Sequence, residues 1–172
     1  MRRRLGMAVM LAGSGWGVVQ SGSAHATQQT SEVRELTETE SAALPAGEGR
    51  EAVAFMCVPC HGILTAVSQR KTAPAWATTV DLMRDKGAKG SDDQAEAAVA
   101  YLTRFFPAVD VNTATADQLE RIAGFTAEEA AAIVSYRDAG HAFAAFADVR
   151  RVPGLDAGRL AAARPRIVFK SK

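Results

Sequence analysis

Cys57-Val58-Pro59-Cys60-His61 is the stretch on which the reading of the first half of this chain turns. Two thiols three positions apart, followed at once by an imidazole, bring two sulfur atoms and one nitrogen donor to the same side of a short helical turn. This is the C-x-x-C-H pattern of covalent haem attachment. The two thiols reach two vinyl groups on one porphyrin edge, and the next residue turns its ring under the iron. Three rival uses exist. A C-x-P-C redox pair resembles a thioredoxin-type site, but that needs a βαβ framework and no such pattern surrounds the box. A structural zinc site wants four ligands. Beyond residue 26 the chain offers Cys57, Cys60, His61 and the distant His141. A disulfide spanning two residues would be strained. The box therefore favours haem.

Working outward, the neighbouring segments read as helices. Glu51–Cys57 has helical composition. Pro74 starts a second helix, placing Trp76, Val80 and Met83 on one face, and Gly87 after Lys86 stops it. Ser91-Asp92-Asp93-Gln94 is a capping box opening a third helix through Phe105. A stripe of Val99, Leu102 and Phe106 runs along that helix beside Tyr101 and Phe105, and Pro107 ends it. A second axial donor is sought among the methionines. Met56 adjoins Cys57 and cannot swing to the opposite haem face. Met83, beyond the Arg70-Lys71 loop, approaches from the other side, as the Met/His pairing of cytochromes requires. The competing readings are His141 or an open iron. Met83 is equally a core residue of the Trp76 stripe, with Trp76 packing on the porphyrin.

The chain has 172 residues, 48% hydrophobic and 23% charged, with a net charge of +1, which excludes a disordered tail, a collagen-like fibre and a many-domain enzyme. Two cysteines are too few for a disulfide scaffold. Aromatics at 6% are thin for a self-sufficient core. Met1-Arg2-Arg3-Arg4, the apolar run Leu5 to Val19 and Ala24-His25-Ala26 read as a secretory signal over residues 1–26. The alternative is an uncleaved anchor. Removing its three arginines leaves 17 basic against 19 acidic residues, a net −2, in a periplasmic compartment. Residues 27–48, rich in Glu with Pro45 and Gly47 near the end, read as an acidic flexible leader that buries little.

From 49 to 107 the chain resembles the small monohaem cytochrome c domains that accompany periplasmic quinoprotein and molybdenum dehydrogenases. The residues that carry the likeness are Cys57, Cys60 and His61, then Trp76, Val80 and Met83, then Lys86-Gly87-Ala88 and Tyr101-Leu102. The resemblance implies haem c held by thioethers at Cys57 and Cys60, with His61 and Met83 as axial iron ligands. Such a site exchanges single electrons and leaves no open position for a substrate. About sixty residues bury little by themselves, so covalent haem would complete the core.

Residues 108–172 change character. Thr115-Ala116-Asp117-Gln118 and Thr126-Ala127-Glu128-Glu129 are capping boxes, and turns at Gly124 and Gly154 repeat about thirty residues apart. With Val111-Asn112-Thr113-Ala114, Tyr136-Arg137 and Val152-Pro153-Gly154, the segment resembles the tandem helix-hairpin-helix modules of competence-type DNA receptors. A similar module in an extrinsic photosystem subunit binds protein. The DNA-binding versions meet phosphate with a Gly-x-Gly hairpin at a helix N-terminus. Here the hairpins read Gly124-Phe125-Thr126 and Gly154-Leu155-Asp156, so Thr126 caps its own helix and Asp156 sets a carboxylate where phosphate would sit. Charge points the other way. Residues 150–172 carry a net +6 through Arg150, Arg151, Arg159, Arg164, Arg166, Lys170 and Lys172, against −5 over 108–149. That end suits docking to an acidic protein or to DNA, or it is a solvated face. His141 reads as a surface-loop residue.

The sequence thus predicts an all-α chain with a cytochrome c-like haem domain over 49–107 and a helix-hairpin-helix domain over 108–172. The expected function is electron carriage, not enzyme catalysis. The expected partner is a periplasmic dehydrogenase or another cytochrome, docked through the basic residues. Two alternatives stay open: an envelope DNA-binding protein with secondary haem, and a haem sensor or enzyme with an open iron.

Overall fold

The computed structural model describes residues 35–170. The expected signal over 1–26 and the leader up to residue 34 lie outside the described residues. Among those described, no helix is long and apolar enough to cross a membrane.

The chain begins with α1 (Glu38–Ala43), then α2 (Arg50–Cys57), α3 (Ile63–Val67), α4 (Ala73–Asp85) and α5 (Asp92–Phe105). Sequence reading foresees α2, α4 and α5, and the Ser91–Gln94 capping box is formed. The leader needs correction, because its second half is folded. Thr37 and Glu40 close a capping box on α1, and Leu44 is buried at 2% exposure. One tether is six residues away and the other 56, and composition shows neither. Arg50 Nε donates to the Leu44 carbonyl at 3.0 Å, and the Tyr101 hydroxyl donates to the Pro45 carbonyl at 2.6 Å.

Two helix contacts build this first lobe. α2 crosses α5 at Gly49, whose φ is +84°; a Cβ there would overlap the Ala97 carbonyl oxygen and lie 2.9 Å from Tyr101 Cβ. Only glycine fits so close a crossing. α4 packs Trp76 and Val80 toward α5, whose buried face is Ala95, Ala98, Tyr101 and Leu102. The expected α5 stripe is therefore rotated: Val99 is half-buried and Ala98 takes the inside position. Alanines at 95 and 98 let neighbouring helices approach closely, a packing effect that hydrophobicity alone does not rank.

The end of α5 is tied to the loop before α4. The Phe106 carbonyl accepts from Trp76 Nε1 at 2.9 Å and from the Lys71 backbone N–H at 3.3 Å, while Arg70 donates to the Phe105 carbonyl at 3.1 Å. These three donors satisfy carbonyls a helix end leaves open.

The second lobe contains β1 (Val109–Asp110), α6 (Ala116–Gln118) running into a π-helical turn over Leu119–Ala123, α7 (Ala127–Asp138), α8 (Phe146–Val149), α9 (Ala157–Ala163) and β2 (Ile167–Val168). The molecule is mostly helical but not purely so. β1 and β2 pair in parallel, Val109 with Ile167 and Asp110 with Val168. Two-residue strands carry no alternation to read. The core of this lobe is closed and apolar, with Val111, Leu119, Ile133, Phe143 and Val149 fully buried. Asn112 brackets Phe143, accepting from its N–H at 2.9 Å and donating to its carbonyl at 2.8 Å.

Candidate functional site

The first lobe encloses a cavity of about 170 Å³ between α2, α3, α4 and α5. Cys57, His61, Trp76 and Met83 all line it, so four residues singled out from sequence converge on one space. Cys60 does not line it and is exposed at the turn. Met56, Val80, Ala98 and Leu102 make most of the remaining wall apolar. His61 stands at the edge of the cavity, on the α3 side, and Met83 comes from α4.

Both cysteines are free thiols. Burial, and secondarily the neighbouring Cys60, push the Cys57 thiol up to about 11. A reactive redox pair needs a depressed thiol, so the thioredoxin-type reading loses its chemical basis. The zinc reading gains no support either, since no group of three or more His, Cys, Asp or Glu side chains gathers among the described residues. His141 is remote from the cavity lining; its ring stacks on Tyr136 at 4.3 Å and its Nδ1 lies 3.0 Å from the Tyr136 carbonyl.

Two features of this lobe escape sequence reading. Lys71 lines the wall with its Nζ donating to Thr79 Oγ1 at 2.8 Å and lying 5.2 Å from the Trp76 ring centre. No carboxylate lines the same space. The second feature lies outside that lining: Glu40 of α1, 5% exposed, whose carboxylate accepts from the Ile63 N–H at 3.2 Å at the start of α3. Its capping-box position was the available signal, but that points to α1 and not to α3.

The donor set suits haem c in kind: a thiol, an imidazole, a thioether and an indole line apolar walls, with one cation for a carboxylate, while the second thiol, Cys60, stands outside the lining. The size is tighter. A space of about 170 Å³ is below the roughly 300–1,000 Å³ of ligand pockets, so the cavity as it stands is too small for a macrocycle. Leu64 of α3 and Leu82 of α4 are exposed large apolar residues, at 43% and 47%. A larger cleft of about 750 Å³ lies in the second lobe beside Asn112, Arg137, Phe143 and Lys170. Its lining holds no constellation of nucleophile, base or metal donor.

In the second lobe each hairpin leads into a helix whose N-terminus is already occupied. At α7, Thr126 Oγ1 accepts from the Glu129 N–H at 3.2 Å, and Glu129 accepts from the Thr126 N–H at 2.9 Å. At α9, Asp156 Oδ1 accepts from the Arg159 N–H at 2.7 Å, while the Asp156 N–H donates across to Glu129 Oε1 at 2.9 Å. Arg159 Nε then sits 2.7 Å from Glu129 Oε2. Glu129, 5% exposed, thus latches one hairpin to the other, a role sequence reading missed. Four amides at the two hairpins, those of Thr126, Glu129, Asp156 and Arg159, are thus bonded to carboxylates and a hydroxyl of the chain itself.

The expected docking cations are dispersed. Arg159 pairs with Glu129 and Arg151 with Asp148 at 3.3 Å. Arg164 lies over the Phe146 ring at 5.2 Å. Arg166 rests against the first hairpin, its Nη1 3.7 Å from where a Gly124 Cβ would stand. Burial first, and then the Arg166 charge, lower the Arg70 guanidinium below its ordinary value. Arg150 and Lys170 are exposed.

Residues 105–168 match the family model described as the helix-hairpin-helix motif. The second lobe carries a helix-hairpin-helix motif. The chain matches no curated protein and no solved structure. The motif is of a type compatible with DNA interaction, and its match begins at the last turn of α5. The cysteine box lies outside it and is argued from its own residues.

Proposed function

We propose that this chain is a c-type cytochrome, an electron carrier and not an enzyme, exported to the periplasm and carrying one covalent haem. The observation that supports it best is the convergence of Cys57, His61, Trp76 and Met83 on one apolar cavity. Haem c supplies a one-electron iron couple when bound. Cys57 and Cys60 would hold it through thioethers, and His61 and Met83 would be its axial donors. A thioether donor favours the reduced iron and raises the potential. Trp76 would pack on the ring while its N–H stays on the Phe106 carbonyl. Lys71, held by Thr79, is the cation a haem carboxylate would meet.

The helix-hairpin-helix lobe would serve as a docking module for an acidic redox partner, a dehydrogenase or another cytochrome. Arg150, Arg164, Arg166 and Lys170 would steer encounter. The DNA-binding reading is favoured by the family match. Against it stand the self-capped hairpins, whose Glu129 and Asp156 would repel a phosphate.

The test is purification of the exported protein from a host that matures c-type haem. The expected product is coloured and heavier than the bare chain by one haem, and Met83→Ala lowers its potential and opens the iron to carbon monoxide. A colourless protein of bare-chain mass overturns the reading. Duplex DNA binding at about 50 mM salt, lost steeply as salt rises, would instead favour the nucleic-acid role.

A further inference from the structure

The peptide unit joining Gly62 to Ile63 has a polar partner on each side. Its N–H donates to Glu40 Oε1 at 3.2 Å, and its carbonyl lies 3.3 Å from His61 Nδ1. A carbonyl can only accept, so the contact selects the Nδ1–H form of the ring and leaves Nε2 as the free donor. Glu40 is itself fixed: its Oε2 accepts from the Thr37 N–H at 3.1 Å and from the Thr37 hydroxyl at 3.0 Å. Gly62 keeps the approach short, since a Cβ there would stand 3.1 Å from Glu40 Oε1.

We propose that Glu40 is a positioning residue for His61. Its carboxylate holds the Gly62–Ile63 peptide, whose carbonyl orients the imidazole and fixes its tautomer. A carboxylate on the N–H polarises the peptide, makes its carbonyl a stronger acceptor, and so makes the ring a stronger donor through Nε2. The consequence for iron rests on the haem reading above; the consequence for the ring does not. A segment whose composition reads as a solvated leader thereby takes part in tuning the site.

The experiment compares the full-length holoprotein with Glu40→Gln, Glu40→Ala and, as a control, Glu38→Gln on the exposed side of α1. Ile63 amide exchange should speed up by about tenfold or more in Glu40→Ala and stay near wild type in Glu40→Gln, which keeps an acceptor. In the reduced protein the His61 Nδ1–H resonance should move upfield in both Glu40 variants. The midpoint potential should rise in both, because an anionic acceptor that favours oxidised iron is gone, and it should not move in Glu38→Gln. A purely structural cap would leave the Gln variant with the wild-type resonance and potential, and that result overturns the proposal. So does an Ile63 amide indifferent to Glu40→Ala. If the wild-type protein is colourless, the haem reading falls separately. The neutral His61 ring, followed by its nitrogen shifts, still decides: Nδ1–H in wild type and a mixture in Glu40→Ala supports the positioning role, and Nε2–H in wild type ends it.

Discussion

The two lobes solve the problem of a small core in opposite ways. The second closes its interior with its own side chains: Leu119, Ile133, Phe143 and Val149 are fully buried, and Glu129 and Asp156 occupy the helix ends that its motif elsewhere presents to ligands. The first leaves a cavity in the middle and turns reactive side chains toward it. A lobe satisfied internally suits a scaffold or docking unit, while a lobe organised around a space suits a guest. The contrast places the family motif in one half of the chain and the candidate site in the other.

The largest expected effect breaks the comparison if it fails. Replacing both Cys57 and Cys60 by alanine should abolish haem attachment and loosen the first lobe, leaving the second lobe's amide spectrum in place. Equal collapse of both lobes would mean that their cores are one cooperative unit. Next in size, Glu129→Ala strips the acceptor from the Thr126 and Asp156 amides and leaves Arg159 without its carboxylate. Urea unfolding of the second lobe should fall by about 2–4 kcal/mol, with Glu129→Gln between it and wild type. A loss confined to a few tenths would show the latch to be ornamental.

The smallest effect concerns alkaline pH and the haem-free chain. The Cys57 thiol stands at about 11, above its ordinary 9.0. The folded lobe thus keeps a proton that the unfolded chain has lost. That contribution is complete below pH 9 and disappears as pH rises through about 11, and is worth at most about 2 kcal/mol after allowance for partial exposure. Whatever first-lobe structure the haem-free chain retains should weaken over that interval in denaturation series. The haem-bearing chain should not, because a thioether has no proton to lose.

Much of the architecture was legible in the sequence. The capping boxes at Ser91, Thr115 and Thr126 form, and Gly87, Gly124 and Gly154 adopt positive φ where the helices stop. These are local signals, each complete within four or five residues. Box spacing sets Cys57 beside His61 and helix periodicity sets Trp76 on the face of Met83, but that the two groups line one cavity is a tertiary contact that no short-range rule supplies. What escaped is long-range. Tyr101 ties down the Pro45 carbonyl 56 residues away, Glu40 acts on a helix 23 residues away, and Glu129 acts on a hairpin 27 residues away. The β1–β2 pair joins residues 58 apart. The charge run over 150–172 misled in part: it counts Arg151 and Arg159 as available, although both face carboxylates of the same lobe.

The pairing of Val109 with Ile167 brings the strands by which the chain enters and leaves the helix-hairpin-helix lobe side by side, so the lobe opens and closes at one place. It should tolerate transplantation onto another carrier, or a new pair of termini opened at Gly140, with little strain, whereas trimming the chain back past Ile167 would unbuckle it at the place where it is fastened.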